Sequence, residues 1–177
     1  MPHHEQAAPP FAFSTDHRVL FDSRPQMRIA EITTSDTYAL RQAVLRDHME
    51  NKNVSFPEDD LPGVVHLGIF DDNGELIATS SWVPLNYEPM APRRGVQLRG
   101  MATAKHAQGT GLGGLLIEAG AERFAEAGFD LLWARARDVA LNFYARHHCV
   151  VVGDGFLEDA TKLPHHVVVR SLNNQAL

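Results

Sequence analysis

The stretch HAQGTGLGGLL, residues 106–116, packs four glycines between a strand-like run, VQLRGMATA (96–104), and an apolar helical pattern. No other feature narrows the possible folds so far. Glycine removes the Cβ that keeps a ligand off the backbone, and successive N–H groups at a helix start attract anions. Three phosphate-binding patterns compete here with a simple turn of the chain. A P-loop needs Lys and then Ser or Thr after its last glycine, whereas Gly114 is followed by Leu115 and Leu116. The dinucleotide fingerprint G-x-G-x-x-G is met by Gly109, Gly111 and Gly114, but its setting is wrong. AKHAQ separates strand from glycines, and the next strand carries Asp130 at its beginning instead of an acid at its far end. The third pattern, Gln108-x-x-Gly111-x-Gly113, meets no such conflict.

The flanking chain sets the architecture. MRIAEI (27–32) alternates as a half-buried strand does. A helix is predicted over 33–50, with Ser35 as N-cap, Asp36 in the first turn and Leu40, Ala43 and Val44 on one face. VVHLGIF (64–70) and LIATSSWVPL (76–85) flank Asn73-Gly74, a hairpin signal whose two-residue turn takes positive φ at both positions. Leu112, Leu115, Leu116, Ala119 and Phe124 follow helical spacing up to a stop at Gly128. DLLWARA (130–136) reads as a strand, and Asp138 is placed to cap a short helix carrying Tyr144. CVVVGDGF (149–156) and HHVVVRSL (165–172) close the order β-α-β-β-β-α-β-α-β-β. That order predicts an α/β (α+β) fold, one mixed sheet with helices on both faces. Residues 1–26 read as an N-terminal arm, docked or free, and 27–173 as one domain.

Composition removes whole classes of function. A chain of 177 residues with 44% hydrophobic and 21% charged residues suits one soluble globular domain. Its formal charge of −6 disfavours nucleic acid as a partner, although Arg93, Arg94, Arg99, Lys105 and His106 gather before the glycines. Cys149 is the only cysteine, so no intrachain disulfide forms. No signal-peptide pattern and no membrane-length apolar run is present, and the expectation is a cytoplasmic protein without a membrane partner. Three His-His pairs complete no ligand set, because strand neighbours point to opposite faces; no metal is expected.

Gln108–Gly113, set between LRGMATA and an apolar helix, resembles the pyrophosphate loop of the GNAT acetyltransferase superfamily. ARDVALNFYARHHCVVVG (136–153) is similar to that family's next strand end, Tyr-bearing helix and following strand, and the resemblance spans about 27–172. Two positions depart: His148-Cys149 replaces a frequent Gly-Phe, and Arg137 stands where Asn is common. The resemblance implies a mostly antiparallel, twisted sheet whose central strand pair splays apart. It implies acetyl-CoA as co-substrate and direct attack by a primary amine of a small molecule or peptide. The pyrophosphate would lie on Gln108, Gly109, Thr110, Gly111, Leu112 and Gly113, with Gly114 easing helix packing. The pantetheine arm would run along Met101, Ala102 and Thr103, with Arg137 and Asn142 as further cofactor contacts. Met101 N–H would polarise the thioester carbonyl and Tyr144 would protonate the leaving thiolate. Family analogy also allows a homodimer.

The base is less defined. An alkyl amine with a pKa of roughly 10.4 keeps its proton at neutral pH, so a base or water relay helps. His66, His165, His166 and Glu88 are candidates, and His66, Arg99 and His166 are candidate substrate contacts, each with a packing alternative. EDD (58–60) reads as a solvated loop or as an attraction for a cationic acceptor, and Trp82 and Trp133 read as core, with Trp133 on the strand that would line the cleft. Two other functions stay open: a catalytically silent acyl-CoA-binding or sensor module, and an NAD(P)-dependent oxidoreductase.

Overall fold

Neighbouring residues of one central strand show how the layers arise. The computed structural model describes residues 27–173 and 177; the arm read at 1–26 lies outside the described residues. The elements are β1 (Arg28–Ile32), α1 (Asp36–Leu45), β2 (Val65–Phe70), β3 (Leu76–Pro84) and β4 (Gly95–Thr103). There follow α2 (Leu112–Glu126), β5 (Leu131–Arg137), α3 (Leu141–Arg146), β6 (Val150–Leu157) and β7 (Pro164–Ser171). Trp82 of β3 is fully buried under α2, stacked on Phe124 at 5.8 Å. Ser81 beside it points to the other face and accepts a hydrogen bond from Arg41 of α1. Alternation along a strand therefore puts α1 and α2 on opposite faces. A Cβ on Gly120 would lie 1.9 Å from the Trp82 ring, so only glycine lets α2 approach this closely.

All seven strands form one sheet in the order β1-β2-β3-β4-β5-β7-β6, antiparallel everywhere except between β4 and β5. A dinucleotide-binding fold needs a parallel doubly wound sheet, so the oxidoreductase alternative is discarded. The α2 face is apolar, with Leu67, Ile69, Leu98, Ile117, Leu132 and Val168 in one cluster. The α1 face carries His66, Ser81, Gln97 and Arg99 instead, and the chemistry gathers there.

The parallel pair is short. β4 and β5 bond only over Gly95–Leu98 and Leu131–Ala134, and past those residues no register joins them. A bulge on the other edge of β4 contributes: Ser81 faces Arg99 and Thr79 faces Ala102, leaving Ser80 opposite both Gly100 and Met101. Gly100 has φ +58°, and a Cβ there would lie 2.7 Å from Arg41 Nε. Such a bulge bends its strand, here opening a gap toward β5.

Four local expectations are corrected. Ser35 makes no capping bond; Thr33 and Asp36 bond reciprocally, Thr33 N–H donating to Asp36 Oδ2 at 2.8 Å. The helix ends at Leu45, not near 50, and its buried residues are Thr37 and Arg41, while Ala43 is exposed. At the hairpin only Gly74 takes positive φ, because Asp71 Oδ1 accepts from Asn73 and Glu75 N–H and holds a longer turn. Asp138 caps nothing, since its carboxylate is engaged by His166 Nδ1 at 2.8 Å.

Candidate active site

Behind the bulge, a buried polar cluster fixes the wall of the site. Arg41 is fully buried and donates from Nη1 and Nη2 to the two oxygens of Asp59 at 2.7 and 2.9 Å. It also donates to Ser81 Oγ at 2.6 Å and Val54 O at 3.0 Å. Ser81 passes its own proton to His66 Nδ1 at 2.6 Å, and His66 Nε2 donates to Asp59 O at 3.1 Å. Burial by itself raises the Asp59 pKa. The Arg41 hydrogen bonds and charge, with the Phe56 N–H, outweigh it and hold the carboxyl below its ordinary 3.8. Both ring nitrogens of His66 are thus committed inside the fold, and the residue does not line the cleft.

The splay opens into a cleft of about 820 Å³ lined from α1, the 56–58 and 85–89 loops, β4, β5, α3, β6 and β7. Arg99, Met101, Arg137, Tyr144, Glu88 and His165 all reach it. His166, next on β7, points to the opposite face against Asp138 and Gly155. Arg99 donates to Glu58 Oε2 at 2.7 Å and lies over the Phe56 ring at 4.1 Å. EDD is only partly solvated: Glu58 takes Arg99, buried Asp59 takes Arg41 and exposed Asp60 accepts from Thr34 at 2.6 Å. Trp133 is cleft wall, not core, donating from Nε1 to Leu85 O at 2.8 Å beside Tyr87.

Tyr144 is nearly buried at 8% exposure, and burial, with a smaller push from Cys149, raises its phenol above the ordinary value. Among the described residues its hydroxyl has no hydrogen-bond partner, so its proton is free for whatever enters the cleft. His165 donates from Nδ1 to Leu163 O at 2.8 Å, since a carbonyl only accepts, which leaves Nε2 as the ring nitrogen outside that bond.

The glycine loop lies at the C-terminal end of β4. Gly109 and Gly111 have φ +77° and +91°, and a Cβ on either would meet nothing within 4 Å. With the orphan N–H groups of the first turn of α2 this makes an open backbone cradle, which fits a phosphate group. Two side chains expected on the ligand brace the loop: Gln108 Nε2 donates to Thr103 O at 3.1 Å, and Thr110 Oγ1 to Ala107 O at 2.7 Å. Gly113 packs on Phe143 and Gly114 on His147, where a Cβ would lie 3.1 and 2.6 Å away. Leu112 and Ala102 have buried side chains, Thr103 is half-buried, and Asn142 is exposed on α3. The basic cluster disperses: Arg93 and Arg94 precede β4, at the end opposite the loop, Arg99 meets Glu58, and Lys105 pairs with Asp47. The cleft residues Arg46, Phe56, Arg135, Phe156 and Glu158 had no legible signal, because long loops and register bring them in.

A splayed parallel pair beside a backbone glycine cradle, with a buried tyrosine lining the gap, is the site geometry of an acyl-transfer fold. The profile of the acetyltransferase (GNAT) family matches residues 28–148, and the chain belongs to that family. It is similar to the uncharacterised N-acetyltransferase YitI of Bacillus subtilis (strain 168), 30% identical over 143 residues, covering 81% of this chain and 94% of that one. Solved structures share the fold. One from Lactobacillus plantarum has TM-score 0.70 and 22% identity, covering 83% of this chain and 99% of that one. An acyl-CoA N-acyltransferase from Pseudomonas aeruginosa has 0.65 and 22%, with 81% and 97% covered. An aminoglycoside 6′-N-acetyltransferase complexed with coenzyme A has 0.65 and 12%, with 84% and 99% covered. The protein is an acyltransferase, and its family uses acyl-CoA co-substrates.

Proposed function

We propose that the chain moves an acetyl group from acetyl-CoA to the primary amine of a small molecule or peptide by direct attack. The observation that carries this reading is Tyr144, buried, without a hydrogen-bond partner among the described residues and lining the gap between β4 and β5. Acetyl-CoA supplies an activated carbonyl and a thiolate leaving group. Gly109, Gly111 and the first turn of α2 hold its pyrophosphate through backbone N–H groups, and the unpaired edge of β4 at Met101–Thr103 takes its amide arm as an added strand. Gln108 and Thr110 act by bracing that loop.

In the transfer the amine nitrogen forms the new C–N bond as the C–S bond breaks. Tyr144 gives its proton to the departing sulfur, and a phenol held above its ordinary pKa is fully protonated for that task. His165 Nε2 accepts the proton the amine sheds, being the ring nitrogen outside the Leu163 bond in a residue that lines the cleft. His66 and His166 are spoken for elsewhere. Tyr144→Phe in an assay of CoA release against an amine panel is expected to cut turnover by about 10²–10⁴ with acetyl-CoA affinity unchanged. Unchanged turnover refutes the acid role. Acetyl-CoA binding without release by any amine favours the silent module.

A further inference from the structure

Among the described residues, two cations in the cleft lack an anion. Its other guanidiniums are matched, Arg99 by Glu58 and Arg135 by Glu158 at 3.2 Å. Arg46 and Arg137 form no ion pair with any described residue. Both reach one carbonyl instead: Arg46 Nη1 at 3.4 Å and Arg137 Nη2 at 3.3 Å donate to Leu45 O, in the last turn of α1, and Arg46 Nε donates to Asn53 O at 3.3 Å. Neutral carbonyl oxygens cannot balance two positive charges. Arg137 has its pKa lowered, first by loss of solvent and second by the charge of Arg46. Guanidinium keeps its proton across the physiological range, so deprotonation does not relieve the repulsion. A carboxylate does, and its two oxygens suit the forked donors.

We propose that Arg46 and Arg137 bind the carboxylate of the acceptor, which makes the acceptor an amino-acid-like amine with an aromatic or apolar body. This rests on the acyl-transfer reading and moves Arg137 from the cofactor to the acceptor. The cleft holding the pair is lined by Phe56, Tyr87, Trp133 and Phe156, which suit a flat apolar body. Glu88 lines it too, an acid without an ion-pair partner among the described residues, and draws an ammonium. None of Gln108–Gly113 lines this cleft, so the phosphate cradle and the arginine pair are separate places.

N-acetylphenylalanine and N-acetylphenylalaninamide, a product-like pair differing in one charge, are titrated calorimetrically into the full chain with and without CoA. The carboxylate is expected to bind about tenfold tighter or more, the scale of a charge-assisted bidentate contact. Arg46→Gln and Arg137→Gln should each erase that difference without lowering Tm, since like charges add no stability. Equal binding, no binding of either compound, or a difference that survives both substitutions overturns the proposal. So does a fall in Tm with discrimination intact, which marks the pair as structural. Titrations with CoA and 3′-dephospho-CoA separate the other source of anion. If Arg137→Gln weakens only CoA, the pair serves the nucleotide phosphate and the proposal fails. Absence of any CoA binding counts against the transfer reading alone, because the carboxylate preference is read without it.

Discussion

Asp59→Asn tests the cluster behind the bulge most directly. The side chains of Arg41 and Asp59 are 0% and 1% exposed, so neither charge has water to fall back on. Asn keeps the shape of Asp but removes the charge, and its Nδ2 donates, so one of the two Arg41 N–H groups that Asp59 accepts now faces another donor. Breaking a buried pair from one side costs about 3–5 kcal/mol. At ~2–4 °C per kcal/mol for a chain of this size, Tm should fall by roughly 6–20 °C. Glu58→Gln is the control: its pair with Arg99 is 24% and 34% exposed, and such pairs are worth about 0–1 kcal/mol. Urea unfolding followed by circular dichroism gives both values. The pH dependence has a definite sign. The folded Asp59 pKa is depressed, so its contribution is present above the ordinary 3.8 and is lost as pH falls below it. The variant should therefore show a shallower acid limb than the wild type. A cost under about 1 kcal/mol, or one no larger than that of Glu58→Gln, refutes the cluster as the support of this wall.

Gly111→Ala places a side chain at φ +91°, a conformation costing an L-residue about 1–2 kcal/mol, and should weaken acetyl-CoA binding measured by calorimetry by roughly tenfold. Gly120→Ala puts a methyl 1.9 Å from Trp82 and should cost about 1–3 kcal/mol of unfolding free energy, as overpacking does. Burial pushes the Cys149 thiol up to about 11, so iodoacetamide should label it far more slowly in the native chain than in urea. Because that pKa is raised from 9.0, the linked stability is intact below pH 9 and declines toward pH 11.

The chain's own order fixed the element types, because alternation and helical spacing are local signals. LRGMATA, the glycines and the Tyr144 helix were legible for the same reason: strand, turn and helix are adjacent in sequence. Caps were less so. Thr33, Ser35 and Asp36 all suit a helix start, and only side-chain geometry picks the pair that bonds. What no local rule carries is where an arginine ends. Arg41 looks like an outward helix residue until Asp59, 18 residues on, meets it inside the fold.

The sequence by itself laid out the bare-glycine loop before an apolar helix, a property of consecutive residues, and with LRGMATA and the Tyr144 helix that loop carried the resemblance to the acetyltransferase family. Tertiary structure decided everything about the other side of the gap. Strand alternation separates His165 from His166, the bulge at Gly100 helps open β4 from β5, and the end of α1 brings Arg46 to Arg137. These are contacts across tens of residues, set by how layers pack.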